Sequence, residues 1–228
     1  MTLLKIITQT DSIEGKGTKT ITDNWMDDCA WATLACAANF LTGSNLKSAD
    51  AIAIGEKVGR KDRDGLPDPT SLAQLVKGAP FAGMVARYAK SWDDVLKAMK
   101  AGAVIGINVE QAKNYPPVTM SKWHRDREKR KPNTPYGHMT CAALYGNNRA
   151  QWADPTMSGK RDEEYAVVVT FEELKQIASS KGDAPHKRCL IFTRKPVEAP
   201  KKPVAVKKVA SKVNTLLSQV RKAVTRNV

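Results

Sequence analysis

The sequence predicts an α+β domain followed by a basic helical tail, and three observations carry that prediction. Helix-like segments, most opened by a Ser or Thr cap or closed by a Gly, fill the first half of the chain. Short β-branched runs separated by turn residues fill the second half. After the last such run, "CLIFTR" (189–194), the composition shifts to Pro, Lys, Ala and Val. This divides the chain into a domain over 1–194 and a linker with a helix over 195–228. With 228 residues, 42% of them hydrophobic, the chain has enough apolar surface to bury a core.

Taken in order, "DSIEGKGTKTITDN" (11–24) reads as a loop with a short strand. Residues 28–42 read as a helix, with Ala32, Ala35, Ala38 and either Leu34 or Leu41 on one face and Gly43 as its C-cap. A second helix spans 48 to about 58. "GRKDRDGLPDP" (59–69) is dense in turn residues; its D-x-D-G lacks the closing Glu of a calcium loop and reads as a turn. "TSLAQLVKG" (70–78) and "SWDDVLKAMKAG" (91–102) are capped helices, the second with acidic first-turn residues that suit the helix dipole.

"AVIGINVE" (103–110) is an apolar strand, and a polar, Pro-punctuated loop runs from 111 to 135. "GHMTCAALYGNNRAQWADP" (137–155) holds two alternating runs around Gly-Asn-Asn, a hairpin signal. "YAVVVTFEELKQIASSKG" (165–182) gives a strand and then a helix whose Thr170 and Glu173 form a capping box.

Charge is concentrated. The formal net charge is +14, and residues 194–228 hold ten Lys or Arg against one Glu, a net +9. "KWHRDREKRK" (122–131) adds +4, so the rest of the domain is close to neutral. In the tail, apolar residues fall at 206, 209, 213, 216, 220 and 224, with basic residues between them, the pattern of an amphipathic helix. The partners such a Val206–Val224 helix fits are nucleic acid, an anionic surface, the body of the domain or a second copy of the chain.

No apolar run approaches the roughly 18 residues a membrane span needs. The opening "MTLLKIITQTD" is too short and too interrupted for a secretory signal, so the expected setting is a reducing one. Cys29, Cys36, Cys141 and Cys189 show no C-x-x-C spacing, which disfavours zinc and a disulfide framework. No metal and no cofactor is expected.

One cysteine is placed differently from the rest. Cys29 stands where a helix begins, near unpaired N–H groups and the positive end of the dipole, which favour a thiolate. His138 opens a hairpin strand. If Tyr145 pairs with Arg149, residue 154 lies opposite Thr140, the same-face diagonal neighbour of His138. Asp154 could then hold the imidazole while its other nitrogen takes the thiol proton. A slip of one residue in register would put the two on opposite faces.

Four pieces of the sequence, "DNWMDDCAWATLACAANFLTG", "SWDDVLKAMKAGAVIGINV", "GHMTCAALYGNNRAQWADP" and "VVTFEEL", together give the layout of a known family. Over about residues 20–194 the chain resembles the papain-like cysteine peptidases, most closely the branch of the bacteriocin double-glycine leader peptidases. The resemblance implies Cys29 as nucleophile, His138 as general base and then acid, and Asp154 as orienter. The family usually carries an oxyanion-binding Gln shortly before the cysteine. Here the stretch reads Thr22-Asp23-Asn24-Trp25, so Asn24 is the candidate amide donor, with the Cys29 backbone N–H as the second.

The function so implied is hydrolysis of a peptide or amide bond, with a peptide or peptidoglycan peptide as substrate. The resemblance also suggests a bacterial cytoplasmic or phage, virion-associated setting. The alternative is a non-catalytic virion or nucleic-acid-binding protein that keeps the fold, which the basic tail and the missing Gln favour.

Overall fold

The computed structural model describes residues 2–7, 29–60, 70–110, 137–155, 166–179 and 182–196. Asn24, the turn at 61–69, the basic cluster 122–131 and the Val206–Val224 segment lie outside the described residues. The chain from Met1 to Lys195 forms one compact unit.

Its elements in chain order are helix α1 (Cys29–Thr42), α2 (Ser48–Lys57), α3 (Leu72–Gly78), a 3-10 turn at Ala79–Ala82, strand β1 (Met84–Tyr88) and α4 (Trp92–Lys100). Then come β2 (Val104–Glu110), β3 (Gly137–Tyr145), β4 (Arg149–Ala153), β5 (Val167–Thr170), α5 (Phe171–Ala178), a 3-10 turn at Pro185–Arg188 and β6 (Cys189–Arg194). The strands form one antiparallel sheet in the order β1-β6-β2-β3-β4-β5. The domain is α+β, as the sequence predicts.

Local chemistry explains most element ends. Ser71 accepts from Gln74 N and Ser91 from Asp94 N, each closing a first turn. At α5, Thr170 and Glu173 cap each other reciprocally. Gly43 ends α1 at φ 74, a conformation that favours glycine. Gly146, at φ 65, does the same for the β3–β4 hairpin.

Helix α1 departs from the expected one-sided stripe. Every residue from Ala30 to Ala38 is buried, so the helix is enclosed on all sides instead of lying on a surface. Its small residues let neighbours approach closely. A Cβ on Gly55 of α2 would stand 2.6 Å from Trp31 Cε2, so glycine is what allows α2 to lie on that ring. Strand β1 is also additional to the sequence reading; it pairs with β6 at one edge of the sheet.

The register fixes which side chains face α1. Strand alternation puts Gly106, Asn108, Met139 and Cys141 on one face, and Ile107, Val109, His138 and Thr140 on the other. Cys36 of α1 hydrogen-bonds Cys141 on the first face. One turn nearer the helix start, Thr33 Oγ1 donates to the Met139 carbonyl at 3.1 Å. Helix α1 therefore runs back along β3, and Cys29 stands where that strand begins.

The N-terminal segment is locked into the same core. Leu4 is fully buried; its N–H donates to Gln151 Oε1 at 2.5 Å and its carbonyl accepts from Ala166 N at 3.1 Å. The Cys36 thiol donates to the Lys5 carbonyl at 2.8 Å.

The centre of the sheet is close-packed at Gly106. A Cβ there would lie 2.6 Å from Phe192 Cε2 and 2.8 Å from Met139 Cε, and both of those residues are buried. Gly106→Ala is expected to destabilise the domain by roughly 1–3 kcal/mol, because the Phe192 ring has no room to turn away. Urea unfolding of the variant against the parent measures this, and an unchanged midpoint would show that the core yields.

Candidate active site

The β3–β4 hairpin places two of the candidate residues. Tyr145 pairs with Arg149, and the ladder continues to Cys141 opposite Ala153, which carries Asp154 next to the Thr140 position. His138 Nε2 lies 2.7 Å from Asp154 Oδ1, with the two side chains 3% and 0% exposed. A carboxylate can only accept, so Nε2 carries the proton of this bond. The imidazole also hydrogen-bonds the Cys29 thiol, and with Nε2 committed to Asp154 this contact falls to Nδ1.

The pair is electrostatically tuned. Burial disfavours the imidazolium and pulls His138 down. The charge of Asp154 and its hydrogen bond outweigh burial, Cys29 adds to them, and His138 is raised to about 10. A supporting shell sits on the same face of the hairpin. Trp152 Nε1 donates to Thr140 Oγ1 at 3.1 Å, and that hydroxyl donates to the Ile107 carbonyl at 3.3 Å. Thr140 and Trp152 were legible only as inward positions of an alternating hairpin, a signal that does not distinguish support of a site from ordinary core.

The four thiols are free, and they differ sharply. Cys29 is partly exposed at the first residue of α1. Cys36, Cys141 and Cys189 are buried. The hydrogen bond that the Cys141 thiol donates to Cys36, and then burial, raise Cys141 well above the ordinary thiol range. Burial pushes Cys189 up to about 12. Cys141 and Cys189 therefore stay protonated, and all three buried thiols are out of reach of solvent.

The structure thus brings Cys29, His138 and Asp154 to one place, while Asn24 lies outside the described residues. Among the described residues no group of three or more His, Cys, Asp or Glu is arranged to hold a metal ion. Among them, too, no helix is long and apolar enough to cross a membrane.

No protein-family model and no curated protein matches the chain. Among solved structures it is similar to one described as a "putative C39-like peptidase" from Bacillus anthracis, with a TM-score of 0.44 and 14% identity over 74% of this chain and 89% of that one. A likeness of this degree carries no argument about fold or chemistry, so the functional case depends on the residues themselves.

Proposed function

We propose that the chain is a papain-like cysteine hydrolase that cleaves a peptide or amide bond through Cys29, His138 and Asp154. The observation that carries this reading is the 2.7 Å bond from His138 to Asp154 on an imidazole that also bonds the only partly exposed thiol among the described cysteines. His138, raised to about 10, holds the proton of the Cys29–His138 pair at neutral pH, and Cys29 Sγ attacks the carbonyl carbon from that pair. His138 then gives that proton to the departing amine, leaving a thioester on Cys29. Water, deprotonated by His138, attacks the thioester, releases the acid and restores the thiol. The oxyanion formed at each attack is met by the Cys29 backbone N–H, with the Asn24 amide as the second donor.

Alkylation with limiting iodoacetamide, read by intact mass and peptide mapping, tests the assignment. Cys29 should be labelled first, but burial of the other three thiols would give that result without any catalysis. The deciding arm is His138→Ala, which should slow labelling of Cys29 at neutral pH by roughly tenfold or more as its proton acceptor is lost. An unchanged rate in that variant would remove the nucleophile assignment. A second reading, a binding protein with no turnover, is favoured by one feature, the net +9 on residues 194–228.

A further inference from the structure

The His138–Asp154 bond forms where the hairpin ladder has already ended. The last paired residues of β3 and β4 are Cys141 and Ala153. Asp154 comes one residue after β4, facing the Thr140 position, and His138 is two residues further along β3. Strand β3 is still paired at that level, but with β2: His138 is opposite Val109 and Gly137 is opposite Glu110. The β3–β4 ladder therefore does not set the distance across which imidazole and carboxylate meet.

A side-chain tie takes over at that point. Trp152 is opposite Ala142 in the ladder, yet its Nε1 donates at 3.1 Å to Oγ1 of Thr140, two residues nearer the end where the site lies. The indole thus lies diagonally across the hairpin, reaching toward the position that Asp154 faces. Thr140 in turn donates at 3.3 Å to the carbonyl of Ile107, its register partner on β2. Strand alternation puts Trp152, Thr140 and His138 on one face. Trp152 and Thr140 are completely buried. Apolar groups of the same shape could replace this hydroxyl and this N–H at little cost in stability, so packing alone does not call for them. Bonded to each other and to β2, they hold three strands in one arrangement.

We infer that Thr140 is a positioning residue. Its hydroxyl, by holding Trp152 to β3 and β2, keeps the end of β4 at the spacing that lets Asp154 reach His138. Thr140 acts through Trp152 and Asp154 and not on the reacting atoms. Its importance for catalysis rests on the hydrolase reading above. A catalytic group misplaced by about 1 Å can cost on the order of 100-fold in rate, so the tie matters more to the site than to the fold.

The test uses the full chain, isotopically labelled at histidine. NMR follows the Nε2 proton of His138, assigned by its absence in His138→Gln, and measures its exchange with water. Thr140→Val should speed that exchange by roughly tenfold, the equivalent of about one hydrogen bond. The backbone amides of β2 and β3 report any general loosening. Thr140→Val alone leaves the Trp152 N–H unpaired and lowers stability. Adding Trp152→Phe removes the second polar partner and should bring the urea midpoint back toward the parent's. In this double variant the His138 proton should still exchange roughly tenfold faster, with the β2 and β3 amides at the parent's rates. Thr140→Ser, which keeps the hydroxyl, should stay close to the parent. The double variant decides the matter if Thr140→Val does not fold. An unchanged exchange rate in it, a rise shared equally by the backbone amides, or a serine variant as fast as the valine one would overturn the inference. Failure of the hydrolase reading shows separately, as an unchanged labelling rate of Cys29 in His138→Ala.

Discussion

Replacing Asp154 by Asn should leave the domain folded and reduce peptide hydrolysis by roughly three to four orders of magnitude. Two effects combine. The carboxylate accepts from Nε2–H of His138 at 2.7 Å, which leaves Nδ1 as the base. An amide can present its NH2 group to Nε2 instead, so the proton moves to Nδ1 and the ring can no longer accept from Cys29. The buried imidazole also loses the charge that opposes its desolvation, the two largest influences on its titration. The loss should fall on kcat with KM little changed, because Asp154 touches the base and not the substrate. A fluorogenic peptide cleaved by the parent gives the measurement, with circular dichroism as the control for folding. Turnover within a few-fold of the parent would end the orienting role and direct attention to another acceptor for His138.

The second large effect is on stability as a function of pH. His138 titrates near its ordinary 6.5 when unfolded and near 10 when folded. Below 6.5 both states hold the proton, and the stabilisation from the charged pair is fully present. Between 6.5 and 10 the folded chain keeps a proton that the unfolded chain has lost, so stability falls as pH rises. Above the upper value the contribution is gone. For a pair this deeply buried the amount is on the order of 3–5 kcal/mol. Urea unfolding at pH 6.5 and at pH 10 should show the parent losing that much more than His138→Gln, the comparison removing lysines and tyrosines that titrate in the same window. Equal losses in the two proteins would mean that the imidazole is neutral in the folded state.

Legibility in the sequence followed the range of each interaction. The Thr170–Glu173 capping box and the Ser71 and Ser91 caps are contacts within three residues, and each was readable from residue types. The hairpin register was readable because Gly-Asn-Asn leaves Tyr145 and Arg149 few other ways to meet. That register brought Asp154 toward His138 before any tertiary contact was considered. Strand β1 was hidden, because an edge strand has a weak burial pattern and its partner β6 lies far along the chain. The enclosure of α1 was hidden for a related reason. Its Ala-rich sequence supports a surface stripe as readily as full burial, and the choice is made by β2, β3, α2 and the N-terminal segment packing around it.

The place of β6 in the sheet has a consequence for how the protein is made. This strand, the last in the domain, lies between β1 and β2, so the sheet stays in two parts until Arg194 has been synthesised. Cys29 leaves the ribosome first, and His138 follows 109 positions later. At about 5–20 residues per second, that interval alone is roughly 5–20 seconds, far longer than a helix needs to form. During that time the thiol is an ordinary side chain without a base. Contacts between residues so distant in sequence also form late and slowly in folding, because the intervening chain must be ordered first. The thiol is paired with its base only once the hairpin has docked on the helix, and the sheet beneath it closes with the final strand. A nascent or interrupted chain ending before Cys189 therefore carries every candidate catalytic residue but lacks the strand that joins the two parts of its support.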